Sequence, residues 1–377
     1  MRVALDGTPL LGRRTGIGRY TENLLTALAD CHDIAVSVTA FTLRAAGELS
    51  AAVPAGVRTR SLPVPARLLR SMWSHSEIPP VGLFSGRADV FHATNFVLPP
   101  TGRAGGVVTI HDLAYLTMPE TVDATSRALR ELVPRSLARA AAVCTPTRSI
   151  AEQVMDAYGP AVPDVVVTPL GVDPEWLTVQ PPDARTRSRL GVPADYFLFV
   201  GTREPRKDLA TLLTAYALFR HDWGRTAARD VEGGPPSLLL VGPSGWGADQ
   251  EPAAGVAIRD FSPTSELRSI VAGARALVMP SRDEGFGLPA LEGLAAGVPV
   301  IVSDAPALVE VTGGHATVFA IGDTDGLAGA LNEVTTRGDE PDEQAAAVLR
   351  RYAAGWTWQR CAEATVGAYR RAARTES

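Results

Sequence analysis

The chain has 377 residues, 46% of them hydrophobic and 20% charged, with a formal net charge of −5. That length supports two or three domains with substantial cores, and the acidic balance gives no basic footprint for nucleic acid. No apolar run reaches the roughly 18 residues needed to cross a bilayer. The cysteines Cys31, Cys144 and Cys361 lie far apart without metal-ligand spacing, and read as reduced packing residues. The opening "MRVALDGTPL" carries Asp6 where a secretory leader would be apolar, so the expected location is cytoplasmic.

In chain order, "RVALD", "DIAVSVTAF", "DVFHA", "VVTIH" and "AVCTP" are the strand candidates of the first half. "YFLFVG", "SLLLVG", "ARALVMP", "PVIVSD" and "ATVFA" repeat the style in the second. Helical patterns alternate with them, as where Ile17, Tyr20, Leu24 and Leu28 share one face. Such alternation predicts an α/β fold with parallel sheets, and the strands are too many for one sheet. Residues 174–194, with Pro174, Pro181, Pro182 and Pro193, read as an exposed linker containing a short helix. The stretch 228–237 reads as a surface loop. Open parallel sheets bind ligands beyond the carboxyl ends of their strands, so the residues after strands are the candidates.

"RTGIGRY" places Gly16 in a turn at a helix start, with Arg13 and Arg14 as solvated loop charges. "RLLRSMWSHSEIPP", 67–80, is either an amphipathic membrane-surface segment or a core face; the core reading is preferred. His92 in "DVFHATN", and His111 with Asp112 in "VVTIHD", end strands. A histidine there is ordinarily a satisfied structural residue. "REPRKDL" puts Arg206 and Lys207 after a strand, where a basic first helical turn would oppose the helix dipole.

"EGFGLPALE" sets Glu284 and Glu292 eight positions apart. Gly285 and Gly287 allow close backbone approach, and Pro289 suits a first helical position. The helix would stop near Gly297, and its orphan N–H groups would form an anion site. The plainer alternative is that Glu292 complements the dipole and Glu284 is a solvated loop residue. "GDTDG" contains a D-x-D spacing, but Asp323 or Thr324 as an N-cap explains it without a metal.

Several of these motifs in order resemble retaining glycosyltransferase family 4. They are "TGIGRYTENLL", "VVTIHDLAYLTMPE", "VTPLGVD", "FVGTREPRKDL", "LLLVGPSGWG" and "PSRDEGFGLPALEGLAAGVPVIVSDAPALVEV", the last carrying an E-x7-E motif. The resemblance covers nearly the whole chain. It implies a GT-B fold: two Rossmann-like domains, residues 1–175 and 176–356, with parallel sheets facing a central cleft. A closing helix within 357–377 would pack back on the first domain.

It also implies residue roles. Glu284 would face the donor sugar near its reacting carbon, and Glu292 would accept from the nucleotide ribose. Backbone N–H groups of Gly285, Phe286, Gly287 and Leu288 would contact sugar and diphosphate. Lys207 and Arg206, with Arg203 as second choice, would pair with the leaving diphosphate. Gly16 would let the first domain approach that diphosphate, and His111 would reach the transferred sugar. His92 and Asp112 would line the acceptor side.

The implied activity is retaining, metal-independent transfer from a nucleotide-sugar co-substrate to a hydroxyl of a glycan, glycolipid or metabolite. Mannose from GDP-mannose is the expected donor, with no resident cofactor. The partners are that donor and a carbohydrate, lipid-linked or small-molecule acceptor, with peripheral membrane contact if 67–80 lies on a surface. Two departures from the family pattern, Asp283 and Asp260, leave the donor open; Asp260 could accept guanine's two N–H donors. The competing readings are a nucleotide-sugar epimerase, hydrolase or phosphorylase on the same fold, and a catalytically silent sugar-nucleotide-binding protein. A dehydrogenase is disfavoured by the missing dinucleotide fingerprint.

Overall fold

The computed structural model describes residues 1–12, 16–42, 47–63, 66–226, 234–245, 253–260, 262–336 and 342–374. Arg13 and Arg14, and most of the 228–237 loop, lie outside them. The chain forms two compact units. The first comprises Met1–Pro119, Ala124–Gly171 and Thr357–Ser377; the second comprises Glu120–Asp123 and Val172–Trp356.

The first unit holds a seven-stranded parallel sheet. Its strands are β1 (Arg2–Asp6), β2 (Ala35–Thr42), β3 (Arg58–Pro63), β4 (Val90–Ala93), β5 (Gly105–Thr109), β6 (Ala142–Thr145) and β7 (Asp164–Val167), in the order β3-β2-β1-β4-β5-β6-β7. Every residue of β4, β5 and β6 is buried, as expected where helices cover both faces of a parallel sheet. The helix Trp358–Arg374 packs on β5, β6, β7 and the helix Gly16–Ala29. Gly105 in β5 makes that approach possible: a Cβ there would meet the Ala372 carbonyl oxygen at 2.5 Å.

The second unit holds six parallel strands. They are β8 (Tyr196–Val200), β9 (Ser237–Val241), β10 (Val256–Arg259), β11 (Ala276–Met279), β12 (Val300–Ser303) and β13 (Thr317–Phe319), ordered β10-β9-β8-β11-β12-β13. Phe197 and Phe199 of β8 pack with Leu212, Tyr216 and Phe219 of the helix Leu209–Thr226, the Phe197 and Phe219 rings meeting edge to face at 5.3 Å. In each sheet the strand order reverses once beside the first strand: between β1 and β4, and between β8 and β11. These are the switch points where crevices open in such sheets.

Three expectations change. Strands β3, β7 and β10 were absent from the sequence reading; each is a sheet edge, and no residue of β7 or β10 is fully buried although β7 carries the apolar run Val165 to Val167. Residues 174–194 are largely exposed and contain the expected short helix, Ala184–Leu190, but they are anchored within the second unit and do not link the two. Trp176 is fully buried with the Arg268 guanidinium 5.8 Å over its ring, and Pro182 and Leu190 are buried too. Pro174 and Pro181 stay exposed, and the chain passes between units at 119–120, 123–124, 171–172 and 356–357. The segment 67–80 divides along helical spacing: Leu69 and Trp73 are buried, whereas Leu68 and Met72 are 57% and 40% exposed.

Candidate active site

The richest constellation of charge lies at the switch point of the second sheet. After β8 the chain makes a tight turn, Pro205–Lys207, followed by Asp208 at φ +48°, before the helix Leu209–Thr226 begins. That turn, and not a helix start, carries Arg206 and Lys207. After β11, "PSRDEGFG" brings Glu284 against them. Lys207 Nζ donates to Glu284 Oε1 at 2.5 Å, and Ser281 Oγ donates to the same oxygen at 2.8 Å. Ser303 Oγ, at the end of β12, donates to the Ser281 carbonyl at 2.5 Å and fixes the loop from below. The Arg206 guanidinium lies 3.6 Å from Glu284 Oε2, donates to the Asp283 carbonyl at 3.0 Å, and pairs with Glu204 at 2.9 Å.

Glu284 is only 6% exposed. Burial pushes its carboxyl upward, but Lys207 and Arg206 outweigh it and hold the group below the ordinary carboxylate range. It is therefore an anion at neutral pH. Two cations, Arg206 and Lys207, and two carboxylates, Glu204 and Glu284, balance within this cluster. Glu204, Ser281 and Ser303 were missed by sequence reasoning; only their position after strands could have marked them.

The loop then enters the helix Leu288–Ala296 through Gly287, at φ +91°. The positive φ calls for glycine, and a Cβ on Gly287 would sit 2.4 Å from Leu308 Cδ2, so the Leu308 side chain would have to shift. Pro289 has no N–H, and the Ala290 N–H already bonds the Gly287 carbonyl at 2.9 Å. The backbone N–H groups of Gly287 and Leu288 have no partner among the described residues. Phe286 is buried with its ring edge to face on Trp356 at 5.6 Å, which anchors the loop. Glu292, fifth residue of the helix, is 1% exposed, so it is not the solvated dipole partner of the plainer reading. Gly285 is half-buried between the two glutamates. The helix ends at Gly297 in left-handed conformation, φ +78°.

Arg203 is engaged elsewhere, donating to the Gly242 carbonyl at 2.7 Å, to Ser244 and to Asp260 at 3.0 Å. Asp260 thus already holds a guanidinium and is 74% exposed in its side chain. A nucleobase there would have to share the carboxylate with Arg203. Asp323 of "GDTDG" accepts from the Gly326 N–H at 2.9 Å as the N-cap of the helix Thr324–Thr336.

In the first unit, His111 follows β5 and is 9% exposed. Its Nε2–H donates to the Thr94 carbonyl at 2.8 Å, and its ring meets Tyr20 edge to face at 4.9 Å. Burial lowers its pKa, so the ring is neutral near pH 7 with its lone pair on Nδ1. His92 lines no surface: it is 0% exposed inside β4, and the expectation of an acceptor-side residue is corrected. Its Nδ1 bonds Tyr369 Oη at 2.8 Å and its Nε2 bonds Thr109 Oγ1 at 2.7 Å, with the pKa pushed down to about 3 by burial. It ties the closing helix to the sheet. Asp112 is half-buried and accepts from the Ala114 N–H at 3.2 Å, in the turn that leads into the short helix Ala114–Thr117. Gly16 is exposed as first residue of the helix Gly16–Ala29, with open space where a Cβ would stand.

Two sheets with a cation–carboxylate cluster and orphan N–H groups at one switch point match a class of group-transfer enzymes. Residues 15–171 match the glycosyl transferase 4-like domain, and residues 194–337 match glycosyl transferases group 1. The O-antigen chain mannosyltransferase B of Escherichia coli is 28% identical over 74% of this chain and 74% of its own. The D-inositol 3-phosphate glycosyltransferase of Acidothermus cellulolyticus is 30% identical over 76% of this chain and 67% of its own. Other relatives with that name are longer, and the chain spans between 52% and 66% of their length. Sucrose-phosphate synthase from Thermosynechococcus elongatus superposes with a TM-score of 0.67 at 18% identity, over 98% of both chains, a likeness of fold. The chain belongs to the family 4 glycosyltransferases of GT-B fold.

Proposed function

We propose that the chain is a retaining, metal-independent glycosyltransferase that moves a hexose, mannose first, from a nucleoside-diphosphate sugar to an acceptor hydroxyl. The observation that carries this reading is the buried Lys207–Glu284 pair at the β8/β11 switch point, beside the orphan N–H groups of Gly287 and Leu288. Fixed cations and N–H groups suit a phosphate whose charge grows as its bond to the sugar breaks. Carboxylates beside a phosphate are tolerable only if they address hydroxyls. Glu284 would accept from the sugar and Glu292 from the ribose, while the amides from Gly285 to Leu288 and the Lys207 and Arg206 charges hold the diphosphate. His111, neutral with a free lone pair on Nδ1, suits a hydroxyl of the transferred sugar. Gly16 leaves its helix start open to a ligand.

The acceptor oxygen would bond to the anomeric carbon on the face from which the phosphate oxygen departs, through an oxocarbenium-like state. The acceptor proton would pass to the departing phosphate, so no protein nucleophile is required. Charge that a metal would otherwise supply comes from Lys207 and Arg206. Mannose is favoured by the name of the E. coli relative, and GDP by the carboxylate of Asp260.

The test is a thermal-shift panel of GDP, UDP, ADP and dTDP, with magnesium and with a chelator, followed by NMR of the product's anomeric proton. A ligand that binds only the folded form raises Tm by mass action. One nucleotide standing out in chelator, and retained configuration in the product, are expected. No shift with any nucleotide, or an inverted product, overturns the reading.

A further inference from the structure

The first unit has a pocket at the amino ends of β4 and β5, the opposite end of those strands from His111, about 120 Å³ in volume. That is many times the roughly 10–15 Å³ one water occupies. Gly86 and Arg87, before β4, line one side, and Thr101, Arg103 and Ala104, before β5, line the other.

Two turns hold this place open. The short helix Gly82–Ser85 ends at Gly86, with φ +81°, and the loop ahead of β5 turns at Gly102, with φ +67°. The Val81 N–H donates to the Pro100 carbonyl at 2.7 Å and the Gly105 N–H to the Asp89 carbonyl at 3.0 Å, so the turns stand side by side. The edge strand β3 adds a third wall. The Arg60 guanidinium lies against Gly86, where a Cβ would meet its Nη1 at 2.5 Å, so the glycine makes room for it.

The charge there is one-sided. Residues 58–103 contain six arginines and two carboxylates, in a chain whose formal net charge is −5. Both carboxylates are held by arginines from outside that stretch, Glu77 by Arg139 at 2.6 Å and Asp89 by Arg2 at 2.5 Å. Arg60, Arg87 and Arg103 are exposed and have no ion-pair or side-chain hydrogen-bond partner among the described residues. The second unit is different, for Arg203, Arg259, Arg268 and Arg275 each hold a carboxylate.

Three like charges around one concavity repel one another, and an anion seated among them reverses the sign of that interaction. Guanidinium forks match the oxygens of a phosphate, and a tetrahedral phosphate meets several forks at once, as a planar carboxylate does not. The Thr101 hydroxyl, without a partner among the described residues, supplies a further donor. Leu83 and Leu62 beside the arginines are 62% and 40% exposed, so the phosphate can arrive on a soluble ester or on a lipid headgroup.

We propose that Arg60, Arg87 and Arg103 form a phosphate-binding site in the first unit, which takes a phosphate monoester group independently of the nucleotide. The inference does not rest on the glycosyltransferase reading. Its test is a calorimetric titration of the whole chain with glycerol 3-phosphate, at low salt so that screening does not hide the charge. Glycerol serves as the probe without phosphate.

Glycerol 3-phosphate should bind and glycerol should not. The double substitution Arg87→Ala with Arg103→Ala should weaken that binding tenfold or more, and Arg60→Ala should weaken it less. Replacing the same pair by lysine, which keeps charge but loses the forks, should restore part of the affinity. All three side chains are exposed, so an unchanged Tm reports that each variant is folded. Co-sedimentation with phosphatidylcholine vesicles, with and without phosphatidic acid, tells the two sources apart. Arginine-dependent binding to the phosphatidic acid vesicles alone identifies a headgroup, and to the soluble ester alone a metabolite; the site stands in either case. No binding of either probe, or binding of both that the double substitution leaves unmoved, overturns the proposal, since the anion then sits elsewhere, as at Lys207.

Discussion

The two units repeat one plan, a parallel sheet whose strand order turns back beside its first strand, yet they furnish that point differently. The second unit concentrates full charges there, with Lys207, Arg206, Glu204 and Glu284 locked together at low exposure. The first offers the Asp6 carboxylate, the Asn95 carboxamide and the rings of Phe41 and Trp73, while His92 and His111 behind it are buried and neutral. The lesson is that topology supplies the crevice and the residues after the strands choose its chemistry. A charged crevice suits a ligand whose charge changes during reaction; a nearly neutral one suits a ligand recognised by hydroxyl geometry.

The comparison breaks most visibly at Lys207. Lys207→Ala should lower kcat/KM by about 10²–10³, the size expected for losing one fixed donor to developing charge. It should also destabilise the second unit, by about 3–5 kcal/mol, since Glu284 is left buried with Arg206 at 3.6 Å as its remaining cation and Ser281 as its remaining donor. Steady-state kinetics and urea denaturation measure both. Unchanged kinetics would remove the charge asymmetry between units as a functional matter.

Acid should separate the units next. His92 has its folded pKa pushed from 6.5 to about 3, so the unfolded chain takes the proton first. The first unit should therefore keep its full stability above pH 6.5 and lose up to about 1.4 kcal/mol per unit as pH falls towards 3. Glu284 has its folded pKa below the ordinary 4.5, so its contribution holds above that value and is lost only as pH falls through the depressed one. Denaturation followed from pH 8 to 4 should show the first unit weakening earlier, and His92→Gln should flatten that slope. Simultaneous weakening of both units would contradict this.

Gly287→Ala ranks third. With φ at +91° and a Cβ 2.4 Å from Leu308, it should cost about 1–3 kcal/mol and weaken nucleotide binding with it. A calorimetric titration on the folded variant separates the two effects, and unchanged affinity would remove Gly287 and Leu288 from the ligand site. The smallest effect is a control away from both crevices. Asp323→Ala removes the N-cap of Thr324–Thr336 and should cost about 1 kcal/mol with kinetics unchanged. Lost activity there would reopen a role for the "GDTDG" stretch beyond capping.

Much of this was legible beforehand, because central strands buried on both faces must be apolar runs and turns beside a ligand must contain glycine. β1, β8 and β11 could be read directly, and so could Gly287, Pro289 and the two glutamates. The edge strand β3 could not, since Arg58, Thr59 and Arg60 are exposed and carry no apolar signature. The 174–194 stretch is largely exposed as its prolines suggest, but its anchoring by Trp176 and Leu190 was not legible, since isolated apolar residues carry no periodic signal.

Sequence by itself determined the α/β class, the glycine-rich turn ahead of the helix in the E-x7-E loop and the kind of residues after each strand, because these depend on local pattern and short spacing. Only the tertiary structure decided which of those residues meet. It sealed His92 against Tyr369, 277 positions away, and turned Lys207 onto Glu284, 77 positions away. It also set Arg60 against Gly86, beside Arg87 and Arg103. Those pairings follow from the order of strands in a sheet, which long-range packing sets and no local pattern records.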